Sequence, residues 1–315
     1  MERPARILVV GIGGVGATWA SHAHRDGPDG MDLMIVDADP RSFEGRDGAH
    51  RIRLGAEGDD AGCAALPELA EQRLRLHVDA VEAMASTMEL VIVIAALGGG
   101  VGSGATKELV DAVRRTGALV IALTAMPFPS QQARVALAES VLPSIRTSTH
   151  LTVRIDLERA AAAARKRGSD WRHGSPWVRD LVQGLATSLL HLGLINLDPM
   201  DLRSVVARPG AATMVVGEGD ASDAEGLLVD ALRAPLTELR VEHGRGCYLH
   251  IEGGRALTVG QVDAIARAFT DGLDEDAQII LGARISPGLG PGVRVLAIVS
   301  GVPELQLLGD DAEAL

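Results

Sequence analysis

"AALGGGVGSGAT", residues 95–106, follows an apolar run that begins at Leu90 and sets five glycines, one valine and one serine between Gly98 and Gly104. Seven positions with so little side chain cannot pack a core of their own. Between a strand-like run and a helical pattern starting at about Ala105, they predict a turn whose backbone N–H groups converge on an anion at a helix N-terminus. A flexible linker has a similar composition, but linkers do not join a buried strand directly to an amphipathic helix.

The same rhythm extends outward. "ILVV" (7–10), "LMIV" (33–36), "LVIVIAA" (90–96), "LVIALTA" (119–125) and "HLTVRI" (150–155) are separated by segments long enough for crossover helices. Continuous apolar runs at that spacing predict an α/β domain with a mostly parallel, Rossmann-like sheet. Between residues 175 and 192, Val178, Leu181, Val182, Leu185 and Leu189 recur at three- and four-residue steps, which predicts a long amphipathic helix closed by Gly193. Beyond it, strands near "AATMVVGEG", "GCYLHIEG", "AQIILGARI" and "VRVLAIVSG", with helices near 224–233 and 259–273, predict a smaller second α/β domain. The expected division is 1–174, 175–203, 204–304 and a short acidic tail, 305–315.

Bulk composition excludes several partners. With 42 acidic and 30 basic residues, a formal charge of −12 argues against a phosphate-backbone binder, so nucleic acid is not expected. The longest strongly apolar run, Leu90 to Leu97, falls well short of the ~20 residues of a membrane-spanning helix, so direct membrane insertion is not expected either. No export signal precedes Ile7. Cys63 and Cys247 are the only cysteines and have no metal-ligand spacing, as in a chain of the reducing cytoplasm.

A first glycine loop lies in "VVGIGGVGATWA" (9–20), with Gly11, Gly13 and Gly16 in GxGxxG spacing and Gly14 between them. Asp37, at the end of the next strand, stands about where a dinucleotide fold places its ribose-binding acid. Alone, this predicts an NAD enzyme or merely a tight strand-to-helix turn. An NAD enzyme leaves the second loop unused, and no convincing histidine and acid pair accompanies it.

Taken together, the two loops and their flanks resemble the FtsZ and tubulin superfamily over nearly the whole chain. "GGGVGSG" is similar to the family's GGGTGTG signature, "VVGIGGVGAT" to its first nucleotide loop, and "MPF" with Gln131 and Arg134 to its ribose-side loop. "GLINLDPMDLRSVV" (193–206) resembles the segment before its C-terminal domain, and "DEDAQIILGARISP" with "VRVLAIVSG" its last strands. The resemblance implies a GTP-binding domain, a long central helix and a C-terminal activation domain. It also implies GTP or GDP with Mg2+ and head-to-tail self-assembly into a filament, with other subunits of the family as further candidate partners. Gly11, Gly13, Gly14, Thr18, Asp37, Gly98, Gly99, Gly100, Val101, Gly102, Ser103, Gly104, Gln131, Arg134 and Trp171 would then surround the nucleotide. Asp198 and Asp201 would orient the water that attacks the γ-phosphate of the next subunit's nucleotide. Read without the family, the same two acids are an ordinary helix start, an N-cap followed by Pro199 and a first-turn carboxylate.

Departures from the family cluster at the nucleotide. Thr18, Ile155 and Pro176 stand where the family has base-reading asparagine, asparagine and aspartate, and Val101 replaces a threonine of the signature, while Ser103 keeps a hydroxyl. Gln131 replaces the ribose-side glutamate, and Asp59 and Asp60 enter the family's third loop. Trp171 falls where an aromatic would stack on the base, or is a half-buried core indole. Asp37, with Asp39, is either a ribose contact or the strand-end turn "DADP". These losses keep open a scaffold that retains the fold without hydrolysis. The membrane-tether peptide of FtsZ would follow a long linker after the last strand, and no segment of that length is present.

Overall fold

Most of the apolar runs become strands because they are buried from both sides. In a computed structural model, which describes residues 5–55, 63, 66–208, 210–236 and 241–303, every residue of β1 (Ile7–Ile12) and β5 (Leu119–Met126) is buried. Asp59, Asp60 and the tail 305–315 lie outside the described residues. With β2 (Met31–Asp37), β3 (His50–Arg53), β4 (Leu90–Ala96) and β6 (Leu151–Asp156) these strands form a six-stranded parallel sheet in the order β3-β2-β1-β4-β5-β6. The sequence reading has no β3. The strand pairs only at the sheet margin, and Ile52 is its one buried residue.

Alternate residues of the strands feed two cores. Ile35 and Ile92 meet Trp19 of α1 (Gly13–Arg25) and Leu181 and Leu185 of α7 (Pro176–Leu190). On the other face, Val10 and Val93 meet α2 (Pro67–Arg75), α3 (Val78–Ala85), α4 (Thr106–Arg115) and α5 (Gln132–Ser148) through Leu74, Val81, Leu109 and Leu142. Each such side chain withdrawn from water stabilises the fold by roughly 1.5–3 kcal/mol, before chain entropy is counted.

The second sheet has the order β7-β10-β8-β9, from β7 (Ala211–Asp220), β8 (Gly246–Gly253), β9 (Gln278–Ile285) and β10 (Gly292–Val302). β10 runs antiparallel to β7 and β8, and β8 runs parallel to β9. The helices α8 (Pro199–Val206), α9 (Ala224–Ala231) and α10 (Val259–Thr270) accompany it. The central helix α7 joins the two units in one continuous core, since Leu185 and Leu296 belong to the same cluster. A second join is made at the edge of β6, where Asp156 N–H donates to Pro235 O at 2.8 Å and Ile155 bridges Leu236. α6 (Leu157–Lys166) follows directly, with Asp156 as its N-cap.

Burial sets an acid limit on this fold. His150, at the start of β6, and His250, in β8, are both lowered from 6.5 to about 4, chiefly by desolvation and then by nearby arginines. Because the folded values lie below the unfolded one, the unfolded chain takes up protons first. This contribution is complete above pH ~6.5 and is lost as pH falls towards ~4. The thermal midpoint is expected to fall by several degrees across that window, and His250→Gln, which cannot charge, is expected to show a shallower fall in the same titration.

Candidate functional site

The two glycine loops leave the same edge of the sheet side by side, because β1 and β4 are neighbours with Gly11 opposite Ile94 and Ile12 opposite Ala95. They touch. A Cβ on Gly13 would lie 3.6 Å from Gly102 N and 3.9 Å from Val101 Cβ. Gly13 and Gly98 have φ of +70° and +87°, a region that favours glycine. A Cβ on Gly11 would fall 2.6 Å from Gly16 O, and one on Gly16, Gly102 or Gly104 would overlap the carbonyl oxygen of Ile94, Ala96 or Pro67 respectively. Gly14 and Gly99 differ, because a Cβ on either meets no heavy atom within 4 Å. Most of the glycines therefore let backbone pack on backbone, while these two face the open side of the loops.

The second loop is more helical than its composition predicts. Instead of a helix opening at Ala105, the chain coils from Val101 to Ala105 in a π-turn and runs straight into α4. Ser103 is fully buried, and its hydroxyl accepts the N–H of Gly98 at 2.9 Å, closing the loop on itself. Its hydroxyl thus shapes the cradle from within.

Electrostatics give the cradle its sign. α1 starts with Ile12 as N-cap and the π-turn with Gly100, and neither start has a capping side chain or an acid in its first turn. By contrast α6, α7, α8, α9 and α10 are capped by Asp156, Ser175, Asp198, Asp223 and Thr258. Two uncapped helical starts side by side offer unpaired N–H groups and converging positive dipole ends, an arrangement suited to a polyphosphate.

The rim is assembled by backbone contact. A Cβ on Gly98 would lie 2.7 Å from Arg134 O and 2.7 Å from Pro127 Cγ, so the segment that carries Gln131 and Arg134 abuts the second loop, with both side chains exposed. Trp171 stands edge-on to Phe128, with ring centroids 5.6 Å apart, and its carbonyl accepts the buried Trp19 Nε1–H at 2.7 Å, which ties it to α1. Thr18 is half-buried, and its hydroxyl donates to Gly14 O at 2.9 Å. Ile155 is 0% exposed and Pro176 opens α7, so neither offers a hydrogen bond to a base.

Asp37 is only 4% exposed. Its Oδ1 accepts from Ala38 N at 2.7 Å and its Oδ2 from the Ser42 hydroxyl at 2.5 Å, the contacts of a strand-end turn. Burial pushes its pKa up against those hydrogen bonds. Asp39 is turned to Arg41, whose hydrogen bonds hold its pKa down. The two acids serve the turn "DADP".

Asp198 and Asp201 form a capping box. Asp198 Oδ1 accepts from Met200 N at 2.7 Å and Asp201 N at 2.9 Å, while Asp201 Oδ2 accepts from Asp198 N at 2.9 Å. Each acid keeps its other carboxylate oxygen without a partner among the described residues, so capping leaves both able to accept from a water. The preceding loop is pinned to the second sheet, where Ile195 exchanges two backbone hydrogen bonds of 3.1 Å with Ala283. Arg203, one turn beyond the acids, donates to Gly117 O at 2.7 Å and lies 3.5 Å from His150 Nε2. Nothing in the sequence pairs Arg203 with these two groups.

Those contacts fix where the acids are. Gly117 and His150 immediately precede β5 and β6, whereas the glycine loops follow the far ends of β1 and β4. At ~3.3 Å per residue, the length of β5 alone puts more than ~20 Å between the cradle and the acids of one chain. Leu192, Leu194, Ile195 and Met200 are exposed around the acids.

Comparison with known proteins agrees with this fold. Residues 6–162 match the tubulin/FtsZ family GTPase domain and residues 210–303 the FtsZ family C-terminal domain. Cell division protein FtsZ 2 of Halobacterium salinarum is 28% identical over 312 residues, covering 98% of this chain and 79% of its own length. Cell division protein FtsZ 1 of Archaeoglobus fulgidus is 29% identical over 308 residues, covering 96% and 84%. The structure of an empty FtsZ dimer from M. jannaschii superposes with a TM-score of 0.82 at 25% identity, covering 95% of this chain and 89% of that one. CetZ2 from Haloferax volcanii, in a GTPγS-bound protofilament, shares the fold with a TM-score of 0.74 at 16% identity, covering 94% and 93%. With both domain models matched in order along it, the chain belongs to the FtsZ/tubulin superfamily.

Proposed function

We propose that this chain binds GTP in the double glycine cradle and hydrolyses it where two copies stack head to tail, in filaments that serve cell division or cytoskeletal organisation. One observation carries the reading: the phosphate cradle and the acids lie at opposite ends of the sheet, so a single chain has both halves of a site and no way to close them on each other. A stacked copy brings Asp198 and Asp201 over the cradle of its neighbour, and repetition of that contact gives an open filament. Exposed Leu192, Leu194, Ile195 and Met200 are the kind of apolar surface such a contact covers. The protofilament form of the CetZ2 neighbour is in keeping with self-assembly.

In this arrangement the backbone N–H groups at Gly13, Gly14, Gly99 and Gly100 hold phosphate oxygens, and Gln131 and Arg134 lie on the ribose side. Mg2+ bound with the nucleotide supplies charge neutralisation at the phosphates. The free oxygens of Asp198 and Asp201 accept hydrogen bonds from a water and hold it in line with the γ-phosphorus, which is most of what phosphoryl transfer asks of a protein. A dinucleotide enzyme is disfavoured by Asp37, whose two oxygens are spent on its own turn.

A second reading, a scaffold of the same fold without hydrolysis, is favoured by the missing base contacts at Thr18, Ile155 and Pro176. The two separate in one experiment on purified chain, with sedimentation and phosphate release measured with and without GTP. The GTPase reading expects GTP-dependent pelleting and phosphate release together. Identical sedimentation in both conditions with no phosphate release establishes the scaffold instead.

A further inference from the structure

A cavity of about 620 Å³ lies on the seam between the two units, bounded by α6 and the start of α7 on one side and by Val216 of β7 and the residues that end α9 on the other. Its existence follows from composition. α6 carries five consecutive alanines, Ala160 to Ala164, and side chains that small leave the space between the helix and the second unit unfilled. Pro176 is the one lining residue at a position where the family reads the base, and none belongs to the glycine loops, to the segment from Pro127 to Arg134, or to Trp171.

The lining has a definite chemistry. Arg159, Lys166, Arg167 and Arg233 line the cavity against one carboxylate, Asp230, in a chain whose formal charge is −12. Arg159 donates to Leu236 O at 2.6 Å, Arg167 pairs with buried Asp180 at 3.3 Å, and Asp230 accepts from Glu218 N at 3.0 Å. The side chains of exposed Lys166 and Arg233 make no ion pair or hydrogen bond among the described residues. Trp177, which also lines the cavity, is 9% exposed.

We propose that this cavity is a second ligand site, separate from the nucleotide cradle, for a small organic anion with a flat aromatic or heteroaromatic body. The apolar body packs on the alanines of α6 and the Trp177 side chain, and the anionic group meets Lys166 and Arg233. The volume is that of an ordinary small-molecule pocket. Both units contribute walls, so occupancy stabilises the folded chain as a whole.

The test uses the full chain and 8-anilinonaphthalene-1-sulfonate, a flat aromatic anion, titrated in excess GTP with tryptophan emission as the readout. The expected result is one saturable site that quenches tryptophan emission, with most of the quench lost in Trp177→Phe. Lys166→Glu combined with Arg233→Glu is expected to weaken binding at least tenfold, with nucleotide binding unchanged. Ala163→Leu, which fills the space without touching charge, is expected to abolish it and guards against a double variant that fails to fold. Absence of saturable binding, displacement of the probe by GTP, or an affinity unchanged in the charge-reversed and filled variants overturns the proposal.

Discussion

Gly102→Ala is expected to remove nucleotide binding and to lower the thermal midpoint. The added Cβ overlaps the carbonyl oxygen of Ala96, the last residue of β4, and backbone in the middle of a sheet has nowhere to go. Overpacking of this kind costs about 1–3 kcal/mol, which for a chain of this size is several degrees. The loss of binding has a separate cause. Gly102 lies beside Gly13 across the two loops, so displacing it is expected to open the proposed cradle and misaim the uncapped N–H groups of both helical starts. Two or three charge-assisted hydrogen bonds lost together correspond to a fall in GTP affinity of at least about 100-fold. Gly14→Ala is the control. Nothing lies within 4 Å of its Cβ, so the thermal midpoint without nucleotide is expected to hold while GTP affinity falls, because the methyl enters the space meant for phosphate. Calorimetry with and without GTP reads both quantities on both variants. Equal GTP affinity in Gly14→Ala and the parent chain removes that residue from the cradle.

Asp201→Asn is expected to lower phosphate release by about 10²–10⁴-fold while leaving GTP binding and the thermal midpoint nearly unchanged. Asparagine is the informative replacement because the proposed mechanism gives Asp201 a second role beside capping. Its Oδ2 accepts the N–H of Asp198 at 2.9 Å, and an amide oxygen keeps that bond, so the capping box survives while the charge that orients water does not. Asp201→Ala removes both, and the cap alone is worth about 1 kcal/mol. If release in Asp201→Asn equals that of the parent chain, Asp201 is a cap and nothing more. Release that falls only in the alanine variant points the same way.

How far the sequence carried the fold can be judged element by element. The strands β1, β2, β4 and β5 stand in it as largely apolar runs, β6 as an alternation of Leu151, Val153 and Ile155, and α7 as an apolar stripe bounded by Ser175 and Gly193, because burial on two faces, on one face or on one helical stripe leaves a trace of its own. β3 leaves no such trace, with one buried residue at a sheet margin. The second glycine run reads as a turn, since glycine disfavours helix by about 1 kcal/mol per residue, yet packing of Gly102 and Gly104 directly on backbone overrides that preference and coils the loop from Val101 onwards. At the site, the glycines and the acid pair are legible as spacing. Directions are not. That Ser103 turns inward to Gly98, that Asp37 folds back on its own turn, and that Arg203 reaches Gly117 and His150 are consequences of tertiary placement with no local signal. The cavity beside Trp177 is of the same kind, visible only when α6 meets the second unit.

The central claim is that cradle and acids act across a boundary between two copies, and mixing tests it most directly. Gly102→Ala keeps Asp198 and Asp201 but cannot hold GTP, and Asp201→Asn holds GTP but lacks the acid. Each alone is expected to release almost no phosphate. Mixed in equal amounts with GTP, they are predicted to recover a substantial fraction of parental phosphate release, because the nucleotide of one meets the intact acids of the other. Release from the mixture no greater than the sum of the two separate variants contradicts the account.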